Sequence, residues 1–160
     1  MHKRLLAVAL LLGGTAAAQQ VSDTLKCAKP DQEHAIPTGD QPGRVYSLSH
    51  TTCLYTKPGT LAGEQTKSGA DTVFSEILGD RLNWRGVYVE TYTNGDKLFY
   101  RHHGNGTLKN NAFDSGVDYY EVTGGTGKFK GYKGKGSCRV KGAPDGSAID
   151  ECAGEYTAPK

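Results

Sequence analysis

The most regular pattern in the chain is alternation. From Trp84 to His103, apolar and polar side chains change places almost residue by residue, broken once at Thr93-Asn94-Gly95-Asp96. A period of two marks a half-buried strand, and Asn-Gly between two such runs is the strongest short-range sign of a hairpin. Trp84–Thr93 and Lys97–His103 are therefore expected to pair. A two-residue loop at Asn94-Gly95 sets Val89 opposite Tyr100 and Val87 opposite His102. One face then carries Val87, Val89, Thr91, Leu98, Tyr100 and His102, and is expected to point inward. The other carries Tyr88, Glu90, Tyr92, Phe99, Arg101 and His103, and is expected to point outward. On that outer face Glu90 lies diagonal to Arg101, which reads as an exposed ion pair.

Further strands are expected at Arg44–Thr56, Thr72–Leu78, Asp118–Thr123, Lys135–Lys141 and Ile149–Tyr156. Threonine, valine and isoleucine favour strand over helix in the second of these. Residues 57–71, with Pro58, Gly59, Gly63 and Gly69, read as turns. Residues 19–43 are polar, contain Pro30, Pro37 and Pro42, and read as an extended arm. No long amphipathic helix is visible. Many short strands joined by glycine-rich turns imply an all-β sandwich or barrel.

The chain begins differently. His2, Lys3 and Arg4 precede the apolar run Leu5–Leu12, and Ala16-Ala17-Ala18 supplies small residues for cleavage. Residues 1–18 therefore read as a secretory signal peptide, with Gln19 as the mature start. The run is far shorter than the ~20 residues needed to span a bilayer. Periplasmic or extracellular localisation is expected. Loss of Lys3 and Arg4 leaves 17 basic against 17 acidic residues. A nucleic-acid binder would show a basic excess, so that class is set aside. The local basic run Lys128–Lys141 reads as a solvated strand face.

All four cysteines follow the leader. An even count in an oxidising compartment reads as two disulfides. Cys138 and Cys152 flank Ala143-Pro144-Asp145-Gly146-Ser147, a turn-forming stretch. A hairpin centred there puts Cys138 opposite Cys152, Arg139 opposite Glu151 and Lys135 opposite Glu155, and the opposite charges favour that register. Cys27 is left to pair with Cys53. No two cysteines have the close spacing of a zinc site, and no metal is expected.

Residues 122–136 read Val-Thr-Gly-Gly-Thr-Gly-Lys-Phe-Lys-Gly-Tyr-Lys-Gly-Lys-Gly. The spacing matches neither a dinucleotide fingerprint nor a Walker-type loop, and no helical pattern follows. The segment reads as a tight turn and a glycine-rich strand. The run Val-Thr-Gly-Gly-Thr-Gly-Lys-Phe with Gly131, Tyr132 and Gly134 resembles a motif of the allene oxide cyclase-like barrels and the corresponding segment of dirigent proteins. The match covers roughly residues 117–141. The resemblance implies an antiparallel eight-stranded β-barrel of calycin-like shape over residues 44–160, here stapled by disulfides, in an exported bacterial member of that superfamily. It also implies a hydrophobic cavity and work without a cofactor, by confining a substrate conformation.

Candidate chemistry is sparse. His102 and His103 are consecutive on a strand and point to opposite faces, so only one of them joins a given site. His102 shares the expected inner face with Tyr100, and His50 comes from another strand. Asp150 shares a face with Cys138, Cys152 and Val140. Trp84 is a candidate for stacking on a ligand. Glu76, Glu90 and Glu121 are the strand carboxylates available for acid–base work. No Gly-x-Ser-x-Gly elbow is present. Tyr100, His102, His50, Trp84 and Asp150 are thus the candidate ligand-binding residues, with no catalytic residue assigned. The expected function is binding of a small apolar or aromatic molecule in the barrel. A cofactor-independent isomerase or cyclase and an envelope interaction or inhibitor module, with a protein partner, are the alternatives. A cavity that joins His102 to an acidic partner would favour the enzyme.

Overall fold

The computed structural model describes residues 18–160, so the expected leader lies outside the described residues apart from Ala18. Ten strands follow: β1 (Gln19–Cys27), β2 (Gln32–Pro37), β3 (Arg44–Lys57), β4 (Thr60–Leu61), β5 (Glu64–Leu78), β6 (Arg81–Tyr92), β7 (Lys97–Lys109), β8 (Ala112–Gly125), β9 (Lys133–Gly142) and β10 (Ala148–Thr157). One 3-10 turn, Gly127–Phe129, separates β8 from β9. All pairings are antiparallel. The order β3-β1-β10-β9-β8-β7-β6-β5 closes on itself through β3–β5, giving an eight-stranded barrel. Closure removes the unpaired edges that an open sheet would present.

Residues 19–43 are extended, yet β1 is no arm outside the barrel. It fills the place between β10 and the second half of β3. β2 continues along the same edge of β3. Pro30 has no N–H to give, but Ala28 N and Asp31 N donate to Thr52 O and His50 O, so pairing resumes on both sides of it. Residues 57–71, expected as turns, hold β4 and the first half of β5.

The β6–β7 hairpin corrects the expected register. Tyr92 N donates to Asp96 O at 2.9 Å and Gly95 N to Tyr92 O at 3.0 Å. The loop is Thr93-Asn94-Gly95, with Gly95 at φ +87°. A three-residue loop ending on a left-handed glycine adds one residue relative to a two-residue turn. Tyr88 therefore pairs with Tyr100 and Glu90 with Leu98. A one-residue slip turns a whole strand over. β7 keeps the expected faces, but β6 sends Trp84, Tyr88, Glu90 and Tyr92 inward. Val87 ends up 54% exposed and Glu90 4% exposed. Arg101 pairs on the outside with Glu121 instead of Glu90.

The barrel is packed at one end and hollow at the other. Leu61, Leu98 and Phe129 are fully buried and form a plug with Val21, Tyr92, Val122 and Tyr156. The Tyr92 and Phe129 rings lie 4.0 Å apart. The glycine-rich motif makes this plug. Gly127 takes φ +48°, Lys128 N donates to Asp96 Oδ2 at 2.9 Å, and Phe129 is driven into the barrel end. Beyond it, Lys133, Lys135, Arg139 and Lys141 lie on the outside of β9, while the alternate positions face in.

Glycines in the strands leave room for large inward side chains. A Cβ on Gly86 would lie 2.4 Å from His102 Nε2, and one on Gly69 would overlap the Tyr88 hydroxyl. Both disulfides, Cys27–Cys53 and Cys138–Cys152, join directly paired residues of neighbouring strands. Loop-entropy estimates for sequence separations of 26 and 14 put their stabilisation at about 3.5 and about 3 kcal/mol. The register that pairs Cys138 with Cys152 also sets Arg139 opposite Glu151 and Lys135 opposite Glu155, the latter with a 3.3 Å ion pair.

Candidate functional site

Above the plug lies a cavity of about 410 Å³. That is toward the lower end of the usual range for ligand pockets. Pro30, Phe113, Pro144 and Ser147 line its outer part. The polar groups of its inner walls form two connected belts among aromatic and aliphatic side chains.

The deeper belt is built on Glu90. Tyr100 donates to Glu90 Oε2 at 2.5 Å and Tyr92 to the same oxygen at 2.7 Å, while Tyr55 donates to Oε1. Tyr55 and Tyr88 hydroxyls lie 3.2 Å apart, and Tyr156 links Tyr100 to Tyr120 through contacts of 3.5 and 3.4 Å. Burial pushes the Glu90 carboxyl above its ordinary range, although the three phenols favour its ionised form. Burial, and then the Glu90 charge, push Tyr55 and Tyr100 well above the usual phenol value. Both therefore stay neutral donors at physiological pH. Asp23, on β1, is pushed up to about 7 by burial first and by Glu90 second.

The belt nearer the mouth is built on His102. Its Nδ1 lies 3.0 Å from Asp118 Oδ1 and its Nε2 lies 3.0 Å from Asp71 Oδ1. Trp84 Nε1 donates to the same Asp118 oxygen at 2.5 Å. Burial opposes a charge on the ring, but the two carboxylates outweigh it and raise His102 to about 10. Both ring nitrogens then carry protons, and both are engaged. His102 is thus a fixed cation that holds two carboxylates in place, not a free base.

Asp150 completes this belt from β10. Its Oδ1 is buried without a hydrogen-bond partner. Its Oδ2 lies 3.8 Å from Cys27 Sγ, which in a disulfide has no proton to donate. Burial pushes this carboxyl up to about 7, with Asp71 and Asp118 adding to the rise and His102 opposing it. A carboxyl titrating near neutrality and facing a cavity is suited to exchange a proton with a bound molecule.

Of the five candidate residues, Tyr100, His102, Trp84 and Asp150 line this cavity and His50 does not. On β3 the odd positions Ser49, Thr51 and Tyr55 face in, so strand parity turns His50 outward. There its Nδ1 meets Asp31 Oδ1 at 2.9 Å. Glu76 and Glu121 also lie outside, paired with Arg44 and Arg101. The sequence reading did not single out Asp23, Asp71, Asp118 or the remaining tyrosines. One signal for the tyrosines was available: the strand glycines opposite which large inward side chains fit, Gly69 for Tyr88 and Gly136 with Gly154 for Tyr120.

Among the described residues, no group of three or more His, Cys, Asp or Glu side chains is placed to hold a metal ion. No helix there is long and apolar enough to cross a membrane. No protein-family model matches the chain, and no curated protein sequence is significantly similar to it. Solved structures do match. One is a pterocarpan synthase dirigent protein, 12% identical, superposing with a TM-score of 0.52 over 99% of this chain and 100% of that one. At that identity the likeness is one of fold, and the chain has the closed barrel of a dirigent protein.

Proposed function

We propose that this chain is an exported barrel that encloses a small molecule with an apolar or aromatic body and exchanges a proton with it. The observation that carries this reading is Asp150, a carboxyl that lines the cavity and has one buried oxygen without a partner. An unsatisfied buried polar group costs about 1–3 kcal/mol, and a ligand that hydrogen-bonds to it offsets that cost. The aromatic walls supply the contact area for an apolar body. The two disulfides suit an oxidising compartment. One solved protein of this fold is a pterocarpan synthase dirigent protein, which is in keeping with this reading.

Two carboxyls titrating near 7, Asp150 and Asp23, make proton chemistry available without a cofactor. A proton given to one atom of a ligand by one carboxyl and taken from another by the second isomerises the ligand with no net change in protons. Confinement in a small cavity adds orientation. These features support a cofactor-independent isomerase or cyclase over a passive carrier. Leu48, Val87 and Tyr119, exposed on the outer face, favour the second reading, a protein-interaction module.

Native mass spectrometry of the protein from its own host, under gentle and then denaturing conditions, tests the proposal. A small molecule released on denaturation is expected. A Val140→Trp variant, which fills the space beside Asp150, is expected to lose it. Repeated absence of any bound mass, together with a stable complex with another protein, would replace this reading by the interaction module.

A further inference from the structure

The polar lining of the cavity is strongly one-sided. It carries five carboxyl groups, Asp23, Asp71, Glu90, Asp118 and Asp150, and a single histidine, with no lysine or arginine. His102 is already shared between Asp71 and Asp118. Glu90 is held by tyrosine hydroxyls. Asp150 alone has a buried oxygen with nothing to bind. Aromatic rings face the same space, among them Trp84, Tyr88 and Tyr120. A carboxylate beside aromatic faces is a site for an organic cation, because the ring quadrupole and the negative charge act in the same direction.

We infer that the cavity selects an organic cation, an amine with an aromatic or apolar body whose ammonium group pairs with Asp150. The inference rests on the ligand-binding reading above and names the substrate class of that same site. An anionic ligand is opposed by the ionised carboxyls of the lining and finds no free positive group. A neutral alcohol can bond to Asp150 but gains no attraction from the surrounding charge. An inorganic cation is disfavoured by geometry, since Asp71 and Asp118 lie on opposite sides of the His102 ring and do not converge.

The pH dependence follows from the groups that face Asp150. Asp23 on β1, Asp71 on β5, and Asp118 on β8 oppose its ionisation, and His102 on β7 favours it. Glu90 and Tyr88 on β6, Tyr55 on β3, Tyr100 on β7, and Tyr120 and Tyr156 lie deeper in the same cavity. An ammonium ion binds the ionised carboxylate, so its binding drives a proton off Asp150. Affinity then rises as the pH rises through about 7. For one carboxyl titrating there, the ionised fraction grows about tenfold between pH 6 and pH 8.

The test uses three indole compounds of similar size that differ in the end group: tryptamine, tryptophol and indole-3-acetate. Isothermal titration at pH 6 and pH 8, in two buffers of different ionisation enthalpy, reports affinity and proton release. Tryptamine is expected to bind at least about tenfold tighter than tryptophol at pH 8, as for a charge-assisted hydrogen bond. Its affinity should fall about tenfold at pH 6, with proton release at the lower pH. Indole-3-acetate should not bind measurably. Asp150→Asn should remove the preference for the amine, while Glu151→Gln, on the outer face of the same strand, should leave it unchanged. Circular dichroism of both variants checks the fold. Equal binding of tryptamine and tryptophol, or a preference that survives in Asp150→Asn, overturns the cation assignment but leaves a ligand-binding cavity. If none of the three binds, both the assignment and the cavity reading fall.

Discussion

Replacing Asp150 by asparagine should stabilise this protein at alkaline pH and leave its stability nearly unchanged in acid. The folded carboxyl titrates near 7 against an ordinary value of 3.8. The folded state therefore binds more protons than the unfolded chain between those two values, and stability is lost as the pH rises through that window. The difference of about three pK units corresponds to about 4 kcal/mol at 1.36 kcal/mol per unit. Water entering from the cavity mouth lowers this, and about 2–4 kcal/mol is the expected range. Asparagine has a similar shape and never ionises. At pH 4 the folded Asp150 is neutral and the unfolded one only partly ionised, so the two proteins should unfold within about 0.6 kcal/mol of each other. At pH 8 the variant should be more stable, which at about 2 kcal/mol per molar urea is a midpoint higher by about 1–2 M. Urea titrations with the disulfides intact, at pH 4, 6 and 8, measure this directly. Parallel stabilities across the pH range would refute the reasoning. They would mean that Asp150 is solvated and has the pKa of an ordinary surface carboxylate. His102 acts in the same direction over a higher window, since the stability from its charged form is present below 6.5 and is lost as the pH rises through about 10.

Two further outcomes are expected. Phe129→Ala should cost about 3–5 kcal/mol in urea unfolding, because a fully buried ring leaves a hole in the barrel plug. An unchanged midpoint would show that the plug does not hold the barrel end. Gly86→Ala places a methyl 2.4 Å from His102 Nε2 and 2.6 Å from Thr72 O, and should destabilise by about 1–3 kcal/mol. Its histidine resonances should show a His102 pKa lowered toward the ordinary value as the contact with Asp71 opens. A folded variant with His102 still titrating near 10 would mean that Asp118 alone holds the charge.

Much of the architecture was legible in one dimension because it depends on local chemistry. Alternation near period two marked the strands. The Ala143–Ser147 turn and the charges beside Cys138 and Cys152 were enough for a correct hairpin register, since turn length, charge pairing and a crosslink all agree there. The β6–β7 hairpin lacked that redundancy. Asn94-Gly95 serves a two-residue or a three-residue loop equally well, and both faces of β6 carry large apolar groups. The choice depended on which face could pack against Leu61 and Phe129, which are distant in sequence. It turned Glu90 from a surface carboxylate into the centre of a tyrosine belt.

The sequence alone thus determined most of the strands after Arg44, the hairpin at the second disulfide and the inward placement of His102. Those rest on neighbours in the chain. Tertiary structure decided which carboxylates meet His102, because Asp71 and Asp118 arrive from β5 and β8 on either side of it. It also decided that β1 closes the barrel, a matter of which distant edges remain unpaired. The chemistry of the cavity belongs to this second class. A carboxyl's pKa is set by what surrounds it in space, and five carboxyls spread from residue 23 to residue 150 become one environment only when the barrel closes.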